Sequence, residues 1–385
     1  MSPTSPAVGQ RRHTLIPVFA ACAGIGLQAG VNMPLVPLAL AQQGHDRLTI
    51  GIVSAVWAVG MLSFGTRIPA LAARFGAVPA IVGAVVIGAL INVAFTVTSS
   101  LVVWVLLNFL HGVIGGVPWV ISEIWMNVVV EEKRRGRVMA LYSAMVALGM
   151  ALGPLVLQVV GVYGPLPFLT GAALSLLIAA PVLPYWRSAP RIRVDASSGF
   201  GMVVLAAPLA MFAAFACGLG EQVAFSFLPV YAVGAGVPAD TGALWLSAFV
   251  MGNVVLQWPI GWLADHADRR LVLAGCTGAS VLLVIGLALI PAQWAGTVGV
   301  IALWGGVSFS IYPVGLALLG QRFRGGDIAR ANTAFSMIYI VGGLIGKPLT
   351  GAAMDTLGDP GLGWTLAVFY GAATLAALLA MRRHG

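Results

Sequence analysis

Apolar residues run through this 385-residue chain in blocks of about twenty or more, each closed by a short cluster of charged or turn-forming residues. The blocks fall at 14–40, 49–70, 77–98, 101–128, 138–162, 165–186, 203–233, 240–263, 271–291, 295–319, 329–355 and 362–381. A membrane-spanning helix needs about 20 such residues, so the pattern predicts twelve spans. Strands of a membrane barrel would alternate in polarity over segments of about ten residues. The blocks here are continuous, and helices are the remaining way to satisfy the backbone inside a bilayer. The expected fold class is all-α, a polytopic membrane protein with twelve transmembrane helices.

Composition agrees: 59% of residues are apolar and 8% charged, against about 25% charged in a soluble domain. A water-soluble enzyme is excluded on that ground. The net charge of +8 raises the question of nucleic acid, but the basic residues sit in short clusters between apolar blocks, with no solvated face for a polynucleotide. They read instead as orientation signals. With the N-terminus placed in the cytoplasm, all but two of the twenty Lys and Arg residues fall in cytoplasmic loops or at cytoplasmic span ends. The exceptions are Arg47, in an outward loop, and Lys347, within a span. This is the positive-inside pattern, and it predicts a multi-pass protein of the cytoplasmic (inner) membrane with both termini in the cytoplasm. Cys22, Cys217 and Cys276 all lie inside apolar blocks, where a thiol acts as a small hydrophobe. No metal site or disulfide framework is implied, and no cofactor is expected. The first apolar block continues to Leu40, too far for a secretory signal core, and is read as the first span.

The longest polar interruption after the N-terminus, Arg187 to Gly199, falls at mid-chain. It divides the chain into an N-terminal six-helix bundle, 1–186, a cytoplasmic linker, 187–199, and a C-terminal six-helix bundle, 200–385. An internal repeat supports the division. Shifted by 193 residues, Arg137 falls on Arg330, Tyr142-Ser143 on Phe335-Ser336, Gly149 on Gly342 and Gly153 on Gly346; shifted by 192, Gly60 falls on Gly252. Parallel repeats of six helices are one transporter architecture.

After the eighth block the chain reads Gly261-Trp262-Leu263-Ala264-Asp265-His266-Ala267-Asp268-Arg269-Arg270. The glycine suits close helix approach, the aspartate can accept from arginines or cap a helix, and the paired arginines anchor the loop. The stretch resembles the cytoplasmic loop motif GxLaDrxGrr of the major facilitator superfamily, with Asp268 in place of the second glycine. The first-half copy is degenerate and keeps Arg74 and Gly76. In the fifth block, Gly149, Gly153 and Pro154 resemble the GxxxGP motif of exporters in that superfamily; small residues four apart also serve plain helix packing. Glu123-Ile124-Trp125-Met126-Asn127, followed by Arg135-Gly136-Arg137 and Tyr142, is similar to the signature of the YcaD-like subgroup. Gly218 to Glu221 and Leu228 to Tyr231 match it too. The resemblance implies two pseudo-symmetric bundles and secondary transport of a small molecule.

Ionisable residues inside a bilayer are costly and therefore functional candidates. Glu221 lies near the middle of the seventh span, Glu123 in the cytoplasmic half of the fourth and Lys347 in the outward half of the eleventh. A buried carboxyl that water reaches from alternate sides can load and release a proton, and Glu221 is the first candidate for that role, ahead of Glu123. Lys347 is a candidate to pair with Glu221 or to meet an anionic group on cargo. Polar residues at i, i+3 or i+4 mark faces turned from lipid: Gln28 and Asn32; Asn108 and His111; Asn253 and Gln257; Trp304, Ser308 and Tyr312. In the superfamily the first, fourth, seventh and tenth spans line the cavity, which makes all of these except Asn253 and Gln257 substrate-cavity candidates. Asn108 and His111 stand where the family has an arginine and a glutamine, so a family-type cationic switch in the fourth span is absent.

No zinc-protease motif, no complete serine elbow and no phosphate-binding loop is present, so the chain is not read as an enzyme or an ATP-driven pump. The expectation is a monomeric, proton-coupled secondary transporter in the lipid bilayer, working by alternating access and exporting its cargo. A facilitator, a proton symporter for uptake and, remotely, a transport-inactive sensor or scaffold are the alternatives.

Overall fold

A computed structural model describes residues 15–130, 132–186, 189, 204–323 and 326–382. Among these there is no strand, and twelve helices are long and apolar enough to cross a membrane. In order they are Val18–Gln42, Arg47–Phe75, Ala77–Thr96, Leu101–Met126, Leu141–Val160, Pro165–Tyr185, Pro208–Gly234, Ala239–His266, Arg269–Leu289, Thr297–Arg322, Arg330–Leu357 and Gly361–Arg382. The chain is a polytopic all-α membrane protein. No end departs from the sequence expectation by more than five residues. The second span runs on to Phe75 through a tight turn at Gly65–Arg67, and the seventh starts at Pro208, where a missing N–H costs nothing. Apart from Ala189, the linker read at 187–199 lies outside the described residues.

The spans end where the sequence supplies breakers. Gly76, at φ +93°, turns the chain between the second and third spans, a conformation disfavoured for any side chain bearing a Cβ. Asp46 caps the second span: its carboxylate accepts the Thr49 N–H at 2.6 Å and the Thr49 hydroxyl at 3.1 Å. The backbone N–H holds this carboxyl below the usual carboxylate range.

The described helices form two compact units. The first comprises residues up to Asn32, Val59–Gly153 and from Gly164 to Asp195; the second comprises Met33–Ala58, Pro154–Tyr163 and the chain from Ala196 onward. In the first unit the first and fifth spans touch backbone to backbone. A Cβ on Gly149 would meet the backbone of Ala23 and Leu27, and one on Gly153 that of Gly30. Within the second unit the seventh and eleventh spans pair in the same way, Gly342 against the backbone of Phe215 and Leu219 and Gly218 against that of Tyr339. Gly149 and Gly342 are 193 residues apart, so the repeat seen in sequence is a repeat of helix contacts. Gly60 against Phe109, and Gly252 against Ala302, extend the correspondence to the second and fourth spans and to the eighth and tenth.

Within the second unit the seventh span is the most enclosed of the twelve, 89% of its most apolar stretch being buried, against 22% for the twelfth. A polar side chain near its middle is therefore held away from lipid. Arg47, read as a loop residue, is instead the first residue of the second span. Its guanidinium pairs with Asp359 and donates to the Met354 carbonyl at 2.9 Å, while the Arg47 and Leu48 N–H groups donate to Asp355 at 2.9 and 2.8 Å. The sequence places these residues about 300 positions apart, which is why periodicity gives no sign of the contact.

Candidate functional site

Glu221 is 4% exposed and lies one helical turn after Cys217. The Cys217 thiol donates to its Oε1 at 2.8 Å, and the Tyr339 hydroxyl of the eleventh span donates to its Oε2 at 2.7 Å. The same sulfur is 3.5 Å from the Ser308 carbonyl oxygen of the tenth span. The Ser308 hydroxyl meets the Tyr370 hydroxyl of the twelfth span at 2.6 Å, and the indole N–H of Trp304 points at that Tyr370 oxygen from 3.4 Å. Polar groups of four spans of the second unit thus cluster around a single carboxyl. Gly220 permits this, since a Cβ there would collide with the Tyr370 hydroxyl. Tyr312 stands beside the cluster, edge-on to Tyr339 with ring centroids 5.5 Å apart, and meets the Ser336 hydroxyl at 3.1 Å.

The sequence pointed to Glu221, Trp304, Ser308 and Tyr312, and the structure brings all four together. It adds Cys217, Tyr339 and Tyr370. Cys217 was legible in principle, because i and i+4 share a helix face. The two tyrosines come from spans whose order in space no local pattern encodes.

In the first unit Gln28 Nε2 donates to the Ser175 hydroxyl at 3.3 Å. Gln28, His111 and Ser175 line a cavity of about 30 Å³ together with Gly88 and Gly115, enough room for a water molecule. Asn108 is buried in the fourth span. Asn32, also buried, packs against Gly171, and neither polar atom of its amide has a hydrogen-bond partner among the described residues.

Lys347 is 6% exposed and donates to the Ser54 carbonyl at 3.2 Å. The expectation that it pairs with Glu221 is replaced by this contact, since the partners of Glu221 are Cys217 and Tyr339. Glu123 lies on an exposed face of the fourth span, and the side chain of Asn127 lies outside those described, as do those of Arg135 and Arg137.

The loop motif is used differently from its sequence reading. A Cβ on Gly261 would have no neighbour within 4 Å among the described residues, so no close helix approach depends on this glycine there. Asp265 is exposed and forms no ion pair with Arg269 or Arg270. Those arginines donate instead to backbone carbonyls near helix ends, Arg269 to Ala317 at 3.0 Å and Arg270 to Ala380 at 3.0 Å, where a cation is favoured. Asp268, the departure from the motif, caps the ninth span through the Arg270 N–H at 2.8 Å. In the first half, Arg74 lies over the Phe75 ring, 5.2 Å from its centroid.

A family model described as Major Facilitator Superfamily matches residues 18–305 and again 210–384. The chain belongs to the major facilitator superfamily. Among its relatives, an uncharacterized MFS-type transporter, YfkF of Bacillus subtilis (strain 168), is 24% identical over 92% of both chains. The MFS-type transporter YcaD of Escherichia coli O7:K1 is 27% identical over 86% of this chain and 87% of its own, in keeping with the subgroup signature. Among solved structures, a bacterial homolog of the human lysosomal transporter Spinster, inward-facing and occupied, superposes with TM-score 0.79 at 15% identity over 98% of each chain. A mutant of the nucleoside transporter NupG gives 0.78 at 14% identity, covering 97% of this chain and 99% of its own. At such identities the likeness speaks for the fold: twelve helices in two pseudo-symmetric six-helix bundles.

Proposed function

We propose that this superfamily member is a proton-coupled secondary transporter in which Glu221 loads and releases the proton. The supporting observation is the placement of Glu221: a carboxyl in the interior of the most enclosed span, held by two donors, one of them from the eleventh span, beside polar groups of the tenth and twelfth. A carboxyl in such a site changes its hydrogen-bonding role when it takes up a proton, and binding one helix arrangement better than another is what shifts a conformational equilibrium. Alternating access of two six-helix bundles, 1–186 and 200–385 joined by the linker, is the mechanism proposed, with a monomer as the working species. Charge distribution supports an inner-membrane protein with cytoplasmic termini. Export rests on the GxxxGP resemblance alone, because Gly149 and Gly153 are engaged in packing against the first span.

A ligand-stabilisation screen on purified protein at two pH values identifies the cargo. With that cargo in hand, its affinity is expected to vary with pH in the wild type and to lose that dependence in Glu221→Gln. The same pH dependence in both proteins would remove Glu221 from the coupling role.

A further inference from the structure

Cys217 has one hydrogen and two acceptors. Its sulfur lies 2.8 Å from Glu221 Oε1 on its own helix and 3.5 Å from the Ser308 carbonyl on the tenth span. A thiol donates to one acceptor at a time, and sulfur itself accepts only weakly. When Glu221 is ionised, both of its oxygens accept, Oε1 from Cys217 and Oε2 from Tyr339. When Oε1 carries a proton it becomes a donor and a poorer acceptor, so the thiol hydrogen is better placed on the Ser308 carbonyl.

We propose that Cys217 is a hydrogen-bond switch that transmits the protonation of Glu221 from the seventh span to the tenth. Proton uptake breaks an O–H bond of a hydronium ion, leaving water, and forms one on Oε1, which donates to the sulfur. The S–H bond stays intact, rotates about Cβ–Sγ and donates to the Ser308 carbonyl. Proton release reverses both steps. The direction of the hydrogen bonds between Glu221, Cys217 and the Ser308 carbonyl is thereby set by one proton. The titratable groups around the pair are Tyr339 on the eleventh span, Tyr312 on the tenth, Tyr370 on the twelfth and Cys276 on the ninth. None is a carboxylate or a basic side chain, so no second charge competes for the thiol. Cys217 is a positioning residue here; the proton itself stays on Glu221.

The proposal rests on Glu221 titrating, and infrared spectroscopy separates the two ideas. The S–H stretch falls in a region free of other protein bands, and subtracting the spectrum of Cys217→Ser from that of the wild type isolates the Cys217 contribution. A Cys22→Ala/Cys276→Ala protein, in which Cys217 is the remaining thiol, gives the same band by a second route. As pH falls, the carboxyl C=O band of Glu221, identified by its loss in Glu221→Gln, is expected to grow. The S–H band is expected to move to higher frequency with the same midpoint, because the longer bond to a carbonyl is weaker than the bond to a carboxylate. In Glu221→Gln the S–H band should not respond to pH. A growing carboxyl band beside a stationary S–H band overturns the switch and leaves Glu221 as the proton carrier. A carboxyl band that does not change with pH overturns both.

Discussion

In the first unit Gln28, His111 and Gly115 surround a small cavity with Ser175; in the second, Glu221, Trp304 and Ser308 stand 193 residues later and are tied together through Cys217 and Tyr370. The frame is the same, three positions on two spans closed by a hydroxyl from a further one. The chemistry differs at each position. An amide replaces a carboxyl, an imidazole replaces an indole, and glycine leaves open the space that a serine fills. One copy sets an amide and an imidazole beside a cavity able to hold water, while the other gathers its polar groups around a carboxyl. A duplicated scaffold has thus been divided into a copy with no carboxyl at the centre and a copy with one, which is why the proton is assigned to the second unit.

The widest contrast is expected from the glycines that hold each scaffold together. Gly153→Ala in the first unit drives a Cβ into the Gly30 backbone and should cost about 3 kcal/mol. Gly346→Ala, at the matching position, meets side chains of Leu219 and Val223 that can shift, and should cost about 1 kcal/mol. Equilibrium unfolding in detergent reads both, and equal losses would break the idea that the first unit has the tighter backbone contact.

The next contrast exchanges the serine and the glycine. Ser308→Gly removes the nearer of the two partners of the Tyr370 hydroxyl and should destabilise by about 2 kcal/mol. Gly115→Ser, facing the cavity, should change stability by less than about 0.5 kcal/mol, in the range of a tolerated substitution. A large loss from Gly115→Ser would mean that the cavity is needed as it is.

The smallest contrast lies outside both polar cores. Asp46→Ala should cost about 1 kcal/mol as a lost helix cap. Because the Asp46 carboxyl is held below its ordinary range, the cap's contribution is present above the unfolded-state value of about 3.9 and is lost as pH falls through the lower folded value. Unfolding of wild type and variant should therefore converge in acid, and a constant gap would show that the carboxylate's charge does not matter.

Much of this arrangement was legible in the sequence, for physical reasons that differ by feature. The spans are set by bilayer thickness and show in every twenty-residue block. The repeat shows in Gly149 and Gly342 because backbone contact admits only glycine there. Glu221 shows because charge is rare at that depth. The contacts of Arg47, Lys347 and Tyr370 did not show, since they depend on how distant helices lie side by side. Gly261 was assigned to packing on its motif, yet a Cβ there would have no neighbour within 4 Å among the described residues, and Arg269 and Arg270 hold helix-end carbonyls where an aspartate was expected.

The central claim is that the carboxyl of Glu221 couples cargo to protons. Its most direct test is accumulation of the identified cargo in proteoliposomes under an imposed pH gradient, with wild type and Glu221→Gln compared at equal reconstitution. The wild type is expected to concentrate cargo against its gradient, and Glu221→Gln to let it equilibrate without accumulation. Accumulation by Glu221→Gln at the wild-type level would contradict the account.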